Sequence, residues 1–283
     1  MNVKNKEDNT VLIYGYKEIM EFLLTIGPDT DMDVKNEEGN TVLMWATKKG
    51  YKDTVELLLT KGANVHIPDN DGLTALMWAA WNGNKDIVEL LLANGADINE
   101  QNKDGNTTLI WATENRHKDI VELLLIKKAN INAQNNDGDS ALTRALKNGH
   151  KNIVELLLAK GADINVQDFV GNTLLMWAAD LEYKNEVELL LTHSADVNIQ
   201  NKYGDTALIW AVRNGSKEMV ELLLINGADV KIRGLSGNTA LMWAIKKGHK
   251  DIVKMLGKNN YIRLIVYSVI FLIGATLILR MIF

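Results

Sequence analysis

The sequence predicts an all-α repeat protein: a solenoid of about eight helix–turn–helix units with turn or hairpin tips, followed by a C-terminal hydrophobic helix. Three observations predict it. Glycine returns every 33 residues, at Gly39, Gly72, Gly105, Gly138, Gly171, Gly204 and Gly237, and self-similarity at a period of this size marks stacked supersecondary repeats. Val-Glu-Leu-Leu-Leu returns in the same register, beginning at Val55, Val88, Val121, Val154, Val187 and Val220. Residues 264–279 then run for sixteen positions without a charge and are apolar on every side, so they form no amphipathic stripe.

Composition bounds what the chain does. Its 283 residues are 47% hydrophobic and 24% charged, values of an ordinary folded protein, which excludes disordered, collagen-like and mucin-like chains. At roughly 150 residues per domain the length alone suggests two globular domains; the 33-residue register replaces that reading. Zero cysteine excludes a disulfide scaffold, a cysteine-built zinc or iron–sulfur site and a thiol nucleophile, and fits a reducing compartment. The formal net charge of −5 argues against nucleic-acid binding, which uses a basic face.

Each element has its own local signal. Residues 1–35 read as a degenerate N-terminal capping unit. Asn9-Thr10-Val11-Leu12 and Phe22-Leu23-Leu24 echo the later repeats, but Leu12 and Tyr16 are four residues apart where Leu43 and Tyr51 are eight. Its first helix is thus about one turn short. Residues 36–257 hold seven registered repeats. In each, Thr41, Thr74, Thr107, Ser140, Thr173, Thr206 or Thr239 opens a segment with apolar residues at helical spacing, such as Leu76 and Ala79, which ends near Gly83 in its repeat. A second helix covers about residues 85–92, with Asp86 in its first turn, where a carboxylate suits the helix dipole. Gly95-Ala96-Asp97 ends it, because glycine takes the left-handed C-terminal conformation without a clash. Residues 102–105 supply turn chemistry. One helix pair cannot enclose its own apolar faces, but stacked neighbours do. The last repeat stops early, at Met255-Leu256-Gly257, and caps the other end.

At these residues the sequence resembles the ankyrin-repeat family. The family pattern runs roughly Asp-x-x-Gly-x-Thr-Pro-Leu-His-x-Ala-Ala, then Val-x-Leu-Leu-Leu and Gly-Ala-Asp-x-Asn, and residues 36–257 meet it in seven units. The resemblance implies an ankyrin solenoid that binds proteins through its turn tips and the concave face of its first helices. The chain departs from the pattern at Pro-Leu-His, which has become Val, Ala, Leu or Thr, then Leu, then mostly Met or Ile (Met44, Met77, Ile110, Met176, Ile209, Met242). The helix-starting proline and the family's Thr–His hydrogen bond are therefore missing, and apolar packing must replace them. This Leu-Met-Trp-Ala version is similar to ankyrin arrays of large DNA viruses and host-associated bacteria.

Residues 258–263 read as a basic juxtamembrane linker and residues 264–283 as a transmembrane helix with its core at 264–279. Sixteen helical residues span ~24 Å, short of a hydrocarbon core of ~30 Å, but residues 261–283 reach ~34 Å if Arg263 and Arg280 snorkel to the interfaces. Tyr261 and Tyr267 suit one interface. Residues 246–283 hold seven cations, among them Lys254, Lys258, Arg263 and Arg280, against Asp251 alone; that net +6 leaves −11 on residues 1–245. Six of the seven precede the apolar run, which predicts a cytosolic array and contact with anionic lipid. The first ten residues lack the hydrophobic core of a signal peptide. The expectation is a single-pass, tail-anchored membrane protein. The other reading is a soluble structural protein whose C-terminal helix packs on the array or drives self-association.

No residues stand out for catalysis. His117, His150 and His249 occupy one slot in separate repeats, cannot converge on one metal, and read as residues at the start of the second helix. No phosphate-binding loop, His-Glu-x-x-His or Gly-x-Ser-x-Gly occurs. Asn106-Thr107-Thr108 and Asn214-Gly215-Ser216 match the glycosylation sequon, which a cytosolic array leaves bare. The chain is expected to be a non-enzymatic scaffold with no metal and no cofactor, binding protein and lipid but no nucleic acid.

Candidate partner-binding residues are those that break the repeat frame. Trp45, Trp78, Trp111, Trp177, Trp210 and Trp243 share one slot and read as framework packing, with partial exposure to the groove the other reading. Arg144 interrupts this ladder, either as a cation stacked between Trp111 and Trp177 or facing a partner's carboxylate. Trp81 stands where other repeats carry Lys48, Glu114, Lys147, Asp180, Arg213 or Lys246. Phe169 and Val170 occupy a turn tip otherwise written in polar residues, and Tyr203 and Leu235 come in the next two tips, with Leu181 and Tyr183 in the same repeat as Phe169. Apolar groups on successive tips make an interface patch.

Overall fold

The computed structural model describes residues 2–4, 10–12 and 32–257. The expected linker and transmembrane helix of residues 258–283 lie outside the described residues, and among those described no helix is long and apolar enough to cross a membrane. Strand β1 (Asn2–Lys4) pairs antiparallel with β2 (Thr10–Leu12) in the register Asn2↔Leu12, Val3↔Val11, Lys4↔Thr10. Thr10–Leu12, which echo a helix start in the later repeats, are extended here, and the rest of the expected short first helix lies outside the described residues. The β-branched Val3, Thr10 and Val11 favour extended backbone.

The chain divides into two compact bodies, Met1–Ala162 and Asp163–Phe283. The first holds α1 (Val42–Lys49), α2 (Lys52–Thr60), α3 (Ala75–Trp81), α4 (Lys85–Ala93), α5 (Thr108–Glu114), α6 (Lys118–Ile126), α7 (Ala141–Lys147) and α8 (Lys151–Ala159). The second holds α9 (Leu174–Asp180), α10 (Lys184–Thr192), α11 (Ala207–Asn214), α12 (Lys217–Ile225), α13 (Ala240–Lys247) and α14 (Lys250–Gly257). Odd-numbered helices are the first helices of their repeats. In the first body α1, α3, α5 and α7 pack in a row, as do α2, α4, α6 and α8; in the second α9, α11 and α13 pack in a row and α12 packs on α14.

Each first helix starts as the Thr or Ser spacing predicts. Thr41, Thr74, Thr107, Ser140, Thr173, Thr206 and Thr239 are extended N-caps whose hydroxyls accept from the backbone N–H three residues on. That bond meets one of the orphan amides of the first turn, worth about 1 kcal/mol. The departed proline and histidine are replaced by packing: Met44, Met77, Ile110, Met176 and Ile209 are buried, as are the Leu and Ala of the frame, such as Leu76 and Ala79. A left-handed residue ends each helix from α1 to α13, glycine at Gly83 and Gly95 but non-glycine at Arg116, Lys128, Glu182 and Ser194, with φ of 63°, 67°, 57° and 65°.

Two histidines of the shared slot join neighbouring repeats, whereas Nε2 of His249 is buried without a partner. Nε2 of His117 lies 2.9 Å from the carbonyl oxygen of Trp81, and Nε2 of His150 lies 3.2 Å from that of Glu114. Each imidazole thus meets a terminal carbonyl of the preceding first helix, a group with no partner inside its own helix.

Candidate protein-binding surface

The turn tips are built on a side-chain acceptor. Asp69 Oδ1 accepts from the N–H groups of Asp71 and Leu73, and Asn102, Asn135, Asp168 and Asn201 repeat the pattern, which folds each tip around its own carboxylate or amide. Backbone bonds then link successive tips: Asn70 N–H to Glu38 O and Lys103 N–H to Asp71 O in the first body, Lys202 N–H to Val170 O and Leu235 N–H to Tyr203 O in the second. Residues on adjacent tips are therefore held side by side.

Behind the tips the tryptophan slot forms a second ladder. All six tryptophans are half-buried. At Trp78, Trp111 and Trp243 the residue thirty positions earlier covers the ring. Lys48 Nζ sits 3.7 Å from the centroid of Trp78, and Arg213 Cζ sits 5.0 Å from that of Trp243. Trp81 stacks on Trp111 at 4.5 Å and 20°, and on Trp78 at 5.2 Å and 19°. Where arginine replaces tryptophan, the covering residue is an acid: Glu114 Oε1 is 3.9 Å from Arg144 Nη1. Cation over ring, ring over ring and carboxylate over cation are three solutions to one geometry. Burial lowers the pKa of Lys48, against the pull of Asp69, Glu38 and Asp71.

In the second body tips and ladder meet in a cleft of about 470 Å³, lined by Tyr203, Leu235 and Ser236 from the tips, by Trp210, Arg213 and Trp243 from α11 and α13, and by Asn201 and Asp205. Trp210 stands edge-on to Trp177 at 5.6 Å. Arg213 donates to Asp205 at 2.9 Å. Burial still pushes the Asp205 carboxyl above the usual carboxylate range, with Arg213 only partly offsetting it. Lys246 Nζ lies 4.8 Å from the Trp243 centroid. The cleft thus sets two indole rings beside a cation that a carboxylate holds in place.

The other candidate residues separate. Tyr203, 61% exposed, and Leu235, 78% exposed, are brought together in this cleft. Phe169 is exposed with Lys202 Nζ 4.4 Å from its ring centroid, Val170 is half-buried and contributes its carbonyl to the tip ladder, and Leu181 ends α9 partly exposed. Trp81 is half-buried in the tryptophan stack of the first body. Arg144 is met by three carboxylates of its own body, Glu114, Asp137 at 3.5 Å and Asp139 at 3.2 Å. Lys254 is exposed on α14; Lys258, Tyr261, Arg263 and Arg280 lie outside the described residues. Reading single slots missed Asp205, Arg213 and Ser236. Pairing positions thirty apart would have found Arg213 through Trp243.

Among the described residues no group of histidines and carboxylates is placed to hold a metal. A search of curated proteins returns no match to the chain. The family model described as ankyrin repeats (3 copies) matches residues 9–102, 94–168 and 175–265. With the registered repeats, the capped helix pairs and the tip ladder, this shows that the chain belongs to the ankyrin-repeat family, whose repeats act as protein-binding scaffolds.

Proposed function

We propose that the protein is a non-enzymatic scaffold tethered to a membrane through residues 264–283, with its repeats on the cytosolic side, and that it holds a protein partner in the Tyr203–Leu235–Trp243 cleft. The observation that carries the partner site is the joining of frame-breaking apolar tip residues to half-exposed ladder tryptophans in one cavity. Aromatic anchors in a partly desolvated pocket dominate interface energies. The tether rests on the uncharged run 264–279 and the cations before it. Tethering raises a partner's effective concentration at the surface without high intrinsic affinity.

Two measurements test the proposal. The full chain is expected to stay with membranes through carbonate extraction; release into the soluble fraction refutes the tether and favours self-association of the C-terminal segment. Proximity labelling from the array is expected to mark a set of proteins that Tyr203→Ala with Leu235→Ala removes. An unchanged set refutes the cleft.

A further inference from the structure

The last repeat has an open apolar face. In the other repeats the slot of Met242 is buried (Met176, Ile209), and so is the slot of Ile245 (Ala179, Val212), because the following repeat covers them. On α13 Met242 is 43% exposed and Ile245 is 61% exposed. End repeats of a solenoid normally turn a polar face outward; among the described residues no repeat follows this one, and its face is apolar at Met242 and Ile245.

Charge says what covers it. Helices α13 and α14 carry Lys246, Lys247, Lys250 and Lys254, all exposed, against Asp251 alone. The arrangement, apolar side chains flanked by exposed lysines, matches an anionic lipid surface, into which apolar groups enter at headgroup depth while ammonium groups meet phosphates and carboxylates. Distance agrees. Residues 258–263 are six, and fully extended they reach at most ~20 Å, so a membrane-inserted 264–283 holds the end of α14 within that distance of the bilayer.

We propose that the open face of the last repeat, Met242 and Ile245 with Lys246, Lys247, Lys250 and Lys254, docks on anionic lipid and so sets the array end-on to the membrane. This inference rests on the tether proposed above. Without it, nothing brings this face to a bilayer.

The chain has no cysteine, so a single introduced thiol reports one position. The full chain carrying Ile245→Cys is placed in vesicles of phosphatidylcholine, with and without phosphatidylserine, and labelled with a membrane-impermeant maleimide. Ile126→Cys, at a position 71% exposed on α6, is the control. The expected result is labelling at position 245 about tenfold slower in phosphatidylserine vesicles than in phosphatidylcholine alone, with position 126 unchanged. Adding Lys246→Gln and Lys250→Gln to the Ile245→Cys chain should restore fast labelling. Equal labelling in both lipids, in a chain that still resists carbonate extraction, overturns the docking and leaves the tether standing. Slow labelling already in detergent means the chain's own C-terminal segment covers the face, and protection that grows with protein concentration means a second copy does; either overturns the proposal. Extraction by carbonate removes the tether and the docking with it.

Discussion

The tip acceptor and the ladder tryptophan are coupled in a way that a single atom tests. Asp69 uses one oxygen for its turn, and its other oxygen accepts from Trp78 Nε1 at 2.9 Å. Asp168 does the same for Trp177 at 2.9 Å. Asn102 fills the same slot for Trp111, and its Oδ1 serves the turn with bonds of 3.1 and 2.8 Å. Its other arm is an amide nitrogen that cannot accept, and the indole N–H of Trp111 is buried without an acceptor. An unsatisfied buried donor costs about 1–3 kcal/mol. Asn102→Asp supplies the missing oxygen. Part of that gain offsets the desolvation of a carboxylate at a site where Asp69 is 8% exposed, leaving an expected net stabilisation of about 1 kcal/mol. The reciprocal Asp69→Asn keeps the turn but orphans Trp78, for an expected loss of about 2 kcal/mol. Urea unfolding followed by far-ultraviolet circular dichroism reads both: at a slope of about 2.5 kcal/mol per molar, 1 kcal/mol moves the midpoint by about 0.4 M. The indole proton of Trp111 should also exchange more slowly. If Asn102→Asp leaves the midpoint in place and Asp69→Asn is equally silent, the indole bonds carry no stability and the coupling is wrong.

The same geometry predicts three further outcomes. Glu114→Lys sets a cation against Arg144 and should cost about 0.5–1 kcal/mol, both groups being partly exposed; adding Arg144→Trp restores the Lys-over-Trp pairing seen at Lys48 and Trp78, and a double-mutant cycle should show that recovery as coupling. Glu182→Gly relieves an exposed left-handed backbone with φ of 57° and should raise the thermal midpoint by the equivalent of about 0.5–1 kcal/mol, the relief being partly cancelled by glycine's freedom in the unfolded chain. The Asp205 carboxyl is raised in the folded state, so its contribution to stability is fully present below the ordinary carboxylate range and is lost as pH rises through the raised value. Denaturation midpoints of Asp205→Asn relative to the parent chain should therefore improve from acid to neutral pH, and a flat difference would contradict the burial.

The helix pairs were legible because their signals are local and repeated. A hydroxyl two residues after glycine caps the helix that it opens, and Leu76, Ala79 and Val88 are buried, as are their counterparts in the registered repeats before the last, where only Ala244 is. Four departures from glycine, at Arg116, Lys128, Glu182 and Ser194, did not disturb the fold, since stacking on neighbours outweighs about 1 kcal/mol of backbone strain. The first strand pair was not legible, because the echo of Thr10-Val11-Leu12 in later repeats masked a local preference that the shortened segment expresses. The candidate site divides the same way. Tyr203 and Leu235 were visible as apolar residues in polar slots, whereas Trp81, noticed for the same reason, belongs to a stack.

The period, the helix starts, the capping and the apolar columns of the registered repeats follow from residues within a turn or two of one another, and so are written in the chain. What fills the slot over Trp78, Trp111 and Trp243, which tips line a cleft, and the exposure of Met242 and Ile245 emerge from the folded chain. Those outcomes depend on residues thirty or more positions apart that touch through stacking. A sequence displays the first kind of neighbour directly and shows the second only when two distant slots are read as one contact.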